Sequence, residues 1–264
     1  MKAMIMAAGL GTRLRPWTLE HPKALVPVGG VPMLERVICK LRDQGFDYIV
    51  VNAHHFAGQI VDFLAANDFG VEVVVSDESG LLLDTGGGIV NAIPLLERDD
   101  EPLLVHNVDI LSDAPLAQLM AAQTESSRDI LLLTSGRKSS RKLIFTPSNH
   151  LAGWHRLDSD QFRPDGFRPA PDMSEEAFSG IYVVSMDAAR TMRRFAEATG
   201  RSVFPVMDFF MACTPGSEMR RQLPADSLLP CEGEEGIGRL YREELRLMDI
   251  GRPETLCEAE ALFR

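Results

Sequence analysis

The sequence predicts an α/β fold, a Rossmann-like, mixed but mostly parallel sheet with helices on both faces. Three observations predict it. The run Ala3-Met4-Ile5-Met6-Ala7-Ala8 is apolar without polar alternation, as expected of a parallel strand covered on both sides. Further along, strand-like runs alternate with segments whose apolar residues recur at helical spacing, the pattern of βαβ units. The first run also turns abruptly into glycine and charge, Gly9-Leu10-Gly11-Thr12-Arg13-Leu14-Arg15-Pro16, where an open α/β sheet places its ligand crevice.

At 264 residues the chain can bury a sizeable core, and we read residues 1–264 as a single domain with an insertion at about 135–176. Its 45% hydrophobic and 25% charged residues are those of an ordinary globular protein, which excludes dominant disorder. A formal charge of −11 would repel nucleic acid and anionic membranes, so cations gathered in one loop point to a small anionic ligand. Cys39, Cys213, Cys231 and Cys257 lie far apart, with neither a Cys-x-x-Cys pair nor histidines at zinc-finger spacing, which fits a reduced compartment. The apolar start is too brief for a secretory leader, and no segment approaches the ~20 apolar residues needed to cross a bilayer. A cytoplasmic protein without membrane or nucleic-acid partners is expected.

In the loop, Gly9 and Gly11 remove side chains where the backbone would approach a ligand, and backbone N–H groups at a strand end can cradle phosphate oxygens. Arg13, Arg15 and Lys23 bring three cations, while Pro16, Pro22 and Pro27 stiffen the segment. It is no Walker loop, because the first lysine after Gly11 is Lys23, and no dinucleotide fingerprint, because Leu14 stands where a third glycine is needed. Alone, Gly-x-Gly is equally a tight turn. The longer string, continued by Pro22-Lys-Ala-Leu-Val-Pro-Val28, resembles the signature of the sugar-1-phosphate nucleotidyltransferases, Gly-x-Gly-Thr-Arg-Leu-x-Pro-x-Thr followed by Pro-Lys-x-Leu-x-Pro-Val. The resemblance implies the nucleotide-diphospho-sugar transferase fold. It further implies that Ala8, Gly9, Gly11, Thr12 and Arg13 hold a nucleoside triphosphate and that Lys23 stabilises charge at the reacting phosphorus.

After the loop, Leu34, Val37, Ile38 and Leu41 predict an amphipathic helix from Pro32 to just before Gly45. Residues 48–51 then read as a buried strand, 57–66 as a helix and 71–75 as a strand. His54 and His55 follow a strand end and read as a surface turn rather than as ligands. Next, Gly86, Gly87 and Gly88 open an apolar helix whose N-terminal donors would face outward. A turn capped by Asp84 or Thr85 is the structural alternative. The segment Leu83-Asp-Thr-Gly-Gly-Gly-Ile89 is similar to that of uridylyltransferases acting on N-acetylmuramate 1-phosphate, which implies nucleotide contacts from Asp84, Thr85 and Gly86 and a sugar contact from Gly87.

The apolar strand over 102–113 contains Asn107 and Asp109 near its C-terminal end, where a carboxylate points into the crevice. The family's strand ends in Gly-Asp, so the resemblance implies a metal ligand at Asp109 and a sugar contact at Asn107, with Val108 replacing the glycine. A helix cap is the other reading of Asp109. Another strand is predicted over 128–134. The segment 135–176 reads as hairpins on the sugar side, and its charges Arg137, Lys138, Arg141 and Lys142 read by default as a solvated face. Phe178-Ser-Gly-Ile-Tyr-Val-Val184 resembles the sugar-contacting strand, implying Ser179 and Gly180, but the family's Glu-Lys pair is not found. Helices follow over 188–198 and 203–213, then a loop or partial lid over 214–238. Leu245-Arg-Leu-Met-Asp-Ile-Gly-Arg-Pro-Glu-Thr-Leu256 resembles the family's closing Trp-x-Asp-Ile-Gly-Thr-Pro motif. There Asp249 would be a second metal carboxylate, Arg252 replaces threonine, and Pro253 begins a terminal helix.

The implied chemistry is attack by a sugar 1-phosphate oxygen on the nucleotide α-phosphorus, with release of pyrophosphate. Arg13, Lys23 and Asp109 are the catalytic candidates, and Mg²⁺ held by Asp109 and Asp249 is the implied cofactor. The preferred substrates are UTP and N-acetylmuramate 1-phosphate. Guanylyl transfer to mannose 1-phosphate is the runner-up, cytidylyl transfer stays open, and a non-catalytic nucleotide sensor is the alternative from another class. The sequence specifies no oligomeric state.

Overall fold

The computed structural model describes residues 1–262. Strand β1 (Lys2–Met6) is buried at every position and delivers the chain into the glycine loop. The loop closes in a short ribbon, β2 (Pro27–Val28) paired with β3 (Val31–Pro32). Helix α1 (Met33–Asp43) buries Leu34, Val37, Ile38 and Leu41 at the predicted spacing, each contributing about 1.5–3 kcal/mol over an exposed position. It stops before Gly45, whose φ of +88° suits glycine alone. Then come β4 (Tyr48–Ala53), α2 (Ala57–Ala66), β5 (Glu72–Asp77), α3 (Asp84–Leu96), β6 (Leu103–Asn107), β7 (Ile110–Ser112), α4 (Leu116–Ser126) and β8 (Ile130–Ser135). The segment expected to form hairpins holds β9 (Arg141–Phe145), β10 (Leu151–Arg156) and β11 (Gln161–Arg163). Strand β12 (Ser174–Val184), α5 (Met186–Thr199), α6 (Val206–Ala212), α7 (Glu218–Gln222), β13 (Ile237–Tyr241), β14 (Leu247–Asp249) and α8 (Pro253–Leu262) complete the order. No helix among the described residues is long and apolar enough to cross a membrane.

The central sheet runs β5-β4-β1-β6 with every pair parallel, and β12 then adds antiparallel to β6. Side chains of β1 alternate between two cores: Met4 and Met6 join the cluster under α3, α5 and α6, while Ala3 and Ile5 join the one under α1 and α4. Covered on both faces, β1 has no polar face to display, and hence no polar alternation. Strand β12 is long because it serves two sheet regions. Its first residues pair with β9 and its last with β6, and along most of its length it also pairs with β8, broken by a register shift between Phe178 and Tyr182.

Three elements differ from the sequence reading. The strand expected over 102–113 breaks after Asn107: Val108 still donates to the carbonyl of Met6 (3.2 Å), the chain turns at Asp109, and β7 leaves the sheet to pair with β14. Strand β12 starts four residues earlier than expected, because Ser174 to Glu176 find partners on β9 that no local pattern announces. The segment 214–238 is not a plain loop. It contains α7 and the start of β13, and Arg220 of α7 ties down the carbonyls of Cys213 (2.9 Å) and Leu229.

Candidate active site

The glycine loop is held by its own backbone. Leu14 donates to the carbonyl of Gly11 (2.8 Å), and Thr18 Oγ1 donates to the same oxygen (2.9 Å). Gly11 sits at φ +61°, and a Cβ built there would fall 2.8 Å from Lys23 Cβ and 2.9 Å from Thr18 Cγ2. Gly11 is therefore demanded by both conformation and space, and it lets Lys23 cross behind the loop. Gly9, Thr12 and Arg13 are exposed, while Ala8 is buried at the strand end. His54 and His55 bind carbonyl oxygens, those of Glu78 (2.7 Å) and Thr18 (3.1 Å), and so fasten neighbouring turns to one another.

A buried polar network that the sequence reading missed braces this loop from below. Asn52, at the end of β4, accepts from the N–H groups of Ala7 (2.6 Å) and Ala8 (3.3 Å) and donates to Glu78 Oε1 (2.7 Å). Glu78 is only 3% exposed, and its other oxygen accepts from Leu83 N (3.2 Å), just before α3. Burial pushes the Glu78 carboxyl above its ordinary range, and the Asn52 amide pulls it back. One signal was available: Asn52 interrupts an otherwise apolar strand.

The start of α3 is spent on packing. The N–H groups of Gly86 and Gly87 donate to the carbonyl of Phe204 (2.9 and 3.2 Å), and Thr85 N to Asp84 Oδ1 (2.6 Å). The expectation of outward-facing donors is thus corrected, since the carbonyl of Phe204, from a much later part of the chain, occupies those of Gly86 and Gly87. A Cβ on Gly86 would lie 2.3 Å from the Phe204 ring, one on Gly87 2.2 Å from Ser202 O, and one on Gly88 2.8 Å from Glu78 Oε1. Thr85 Oγ1 accepts from Val206 N (2.8 Å), which leaves Asp84, at φ +62°, as the exposed residue of this turn.

The segments that carry the two predicted carboxylates meet. Strand β14 pairs antiparallel with β7 so that Asp249 lies opposite Ile110, and Ile250 N donates to the carbonyl of Asp109 (2.8 Å). Lys23 Nζ forms an ion pair with Asp109 Oδ2. Asp249 Oδ1 accepts from Gly251 N (2.9 Å), and a Cβ on Gly251 would fall 2.7 Å from that oxygen and 2.9 Å from Arg13 Nη2. Lys23, Asp109, Asp249 and Arg13 therefore converge at the C-terminal edge of β1 and β6. The donor set suits a small hard cation. Among the described residues no group of three or more His, Cys, Asp or Glu gathers to cage an ion, and Mg²⁺ characteristically uses one or two carboxylates and takes its other oxygens from phosphate and water.

On the other side of β6, Gly180 sits at φ +76°, where a Cβ would lie 2.7 Å from Asn107 Nδ2. These two therefore sit side by side, with no room for a larger residue at 180. Ser179 is turned inside the β12 bulge, and its Oγ bonds the backbone N of Ile181 (3.1 Å). Arg137, half-buried, donates from Nη2 to Phe178 O (2.8 Å). Below this floor His106 is 0% exposed, and burial, aided by the charge of Lys40, pushes its imidazole down to about 4. Burial likewise lowers Lys40 to about 8.

Comparison with known proteins bears on this crevice. A nucleotidyl transferase family model matches residues 2–143. The chain is 43% identical over 128 residues to an N-acetylmuramate alpha-1-phosphate uridylyltransferase of Neisseria meningitidis serogroup B, a match covering 48% of this chain and 54% of that relative, about half its length. It is 30% identical over 191 residues to the protein of the same name from Caulobacter vibrioides, covering 69% and 74% of the two chains. A crystal structure of HddC from Yersinia pseudotuberculosis superposes with a TM-score of 0.72 at 20% identity, covering 100% of this chain and 99% of that one, which is a likeness of fold.

Proposed function

The chain belongs to the nucleotidyl transferase family, and from that premise we propose that it transfers uridylyl from UTP to N-acetylmuramate 1-phosphate and releases pyrophosphate. The observation that carries the reading is the convergence of Lys23, Arg13, Asp109 and Asp249 on one sheet edge directly after a phosphate-type glycine loop. The choice of UTP and N-acetylmuramate 1-phosphate is supported by the names of the two uridylyltransferase relatives and by Leu83-Asp-Thr-Gly-Gly-Gly-Ile89.

In this reading the loop from Ala8 to Arg13 receives the triphosphate, with Thr12 and Arg13 at its open face and Asp84 at the nucleoside end. A phosphate oxygen of the sugar 1-phosphate attacks the α-phosphorus, the bond from that phosphorus to the bridging oxygen breaks, and pyrophosphate carries away the electron pair. Lys23 and Arg13 are preset cations for the charge that grows on the phosphate oxygens, and presetting matters because little reorganisation is then left to the transition state. Asp109 and Asp249 would hold Mg²⁺, which when bound withdraws further charge from those oxygens. Asn107 and Gly180 line the acceptor side.

The test is a matrix of UTP, GTP, dTTP, CTP and ATP against N-acetylmuramate, N-acetylglucosamine, glucose and mannose 1-phosphates, read as kcat/KM by pyrophosphate release. An optimum at UTP with N-acetylmuramate 1-phosphate is expected. An optimum at GTP with mannose 1-phosphate would overturn the substrates and keep the reaction class. Absence of turnover with every pair would overturn the class in favour of a nucleotide sensor.

A further inference from the structure

Arg137 behaves differently from the rest of its basic run. Lys138 and Arg141 are exposed, as a solvated face requires. Arg137, just after β8, is instead folded inward: Nη2 is anchored on Phe178 O (2.8 Å), and Lys142 Nζ steadies the main chain by donating to Arg137 O (2.9 Å). Its Nη1 has only a long contact to Lys138 O (3.5 Å), and its Nε is sealed from solvent without a hydrogen-bond partner among the described residues. A buried donor left unmatched is a cost that folded proteins rarely carry without a use for it. The guanidinium also lies close enough to Asp249 for that carboxylate to favour its charged form against burial.

The topology says which substrate this fork faces. In the sheet, β6 lies between β1 and β12. The triphosphate loop follows β1, Asp109 follows β6, and Arg137 rests on the β12 bulge beside Gly180 and Asn107. The cations of the loop and the cation at 137 thus stand on opposite sides of β6 and the Asp109 that follows it, as two reacting partners would. A planar guanidinium whose Nη1 holds only a long contact is suited to the oxygens of a phosphate or carboxylate.

We propose that Arg137 is the anion anchor for the acceptor, its guanidinium binding the oxygens of an anionic group on the sugar substrate. This rests on the reading of the chain as a sugar-1-phosphate nucleotidyltransferase. The anionic group is either the 1-phosphate, common to all acceptors, or a carboxylate substituent, as on N-acetylmuramate.

The experiment compares Arg137→Ala and Arg137→Lys with the unaltered protein, using N-acetylmuramate 1-phosphate and N-acetylglucosamine 1-phosphate with UTP. We expect the KM for the acceptor to rise about 10- to 100-fold in Arg137→Ala while the KM for UTP stays within about twofold. Added guanidinium should recover part of the loss. A rise with both acceptors assigns the phosphate, and a rise with the N-acetylmuramate ester alone assigns the carboxylate. An unchanged acceptor KM, or an equal rise for UTP, overturns the anchor in favour of a brace for the β12 bulge. Arg137→Lys keeps the charge and reports if the alanine variant does not fold. Calorimetric titration of each sugar 1-phosphate into unaltered and variant protein, without nucleotide, reads the anchor separately from turnover. If the unaltered protein turns over no pair, the functional reading fails, while a difference in that titration still upholds the site.

Discussion

Lys23 and Asp109 stand 86 positions apart in the chain and meet as an ion pair whose side chains are 12% and 17% exposed. Each neutralises the other, so a cation and an anion can both be kept in a half-closed crevice at modest desolvation cost. Arriving phosphate and metal ion would compete for the two partners.

Replacing Lys23 by alanine should cost more in rate than in folding. We expect kcat to fall by ~10²-fold or more, by analogy with the loss of one preset transition-state donor, with the thermal midpoint within a few degrees. Steady-state rates at saturating substrates check this, and an unchanged kcat would return Lys23 to a purely structural pairing.

Asp109→Asn and Asp249→Asn should each abolish most turnover in saturating Mg²⁺ and leave the far-ultraviolet circular dichroism intact, since an amide keeps the shape but not the charge. EDTA should silence the unaltered enzyme, and Mg²⁺ or Mn²⁺ should restore it. Near-normal rates in either variant would remove that carboxylate from the metal site.

The glycines at the start of α3 separate packing from binding. A Cβ on Gly86 would sit 2.3 Å from the Phe204 ring, so Gly86→Ala should lower stability by about 1–3 kcal/mol in denaturant unfolding. A variant as stable as the parent would mean that the 202–204 segment yields easily.

The buried imidazole of His106 makes stability depend on acid. Its native value is lowered to about 4 from the ordinary 6.5, so between those values the unfolded chain holds more protons than the folded one. Stability should therefore fall as pH drops from about 6.5 toward 4, by on the order of 3 kcal/mol from this residue. Urea midpoints at pH 7 and pH 4.5 test this, and His106→Gln should flatten that part of the slope. Identical slopes would assign the acid sensitivity to carboxylates.

The elements that announced themselves in sequence are those set by local spacing. Helix α1 was readable because it buries residues at helical spacing, strands β1, β4 and β6 because each contains an unbroken apolar run, and the glycine loop because Gly11, Lys23 and the prolines follow an ordered string. What escaped are contacts across long stretches of chain. Gly86 looked like an open face because nothing near it in sequence mentions Phe204. The break at Asp109 depends on a partner strand ending at Asp249, and Asn52 gains its meaning only when Glu78 is brought beside it. Arg137 lay in a run that reads as solvent-facing, and only the β12 bulge turns it inward.

The pairing of β7 with β14 also orders the site in time. Synthesis delivers β1, Lys23 and Asp109 early and Asp249 much later, an interval on the order of ten seconds at usual elongation rates. During that interval the emerging chain can build its parallel sheet and can close the Lys23 pair over Asp109. It cannot yet present two carboxylates to an ion. On the proposed reading of Asp109 and Asp249 as the metal carboxylates, the metal site therefore stays incomplete until β14 docks against β7.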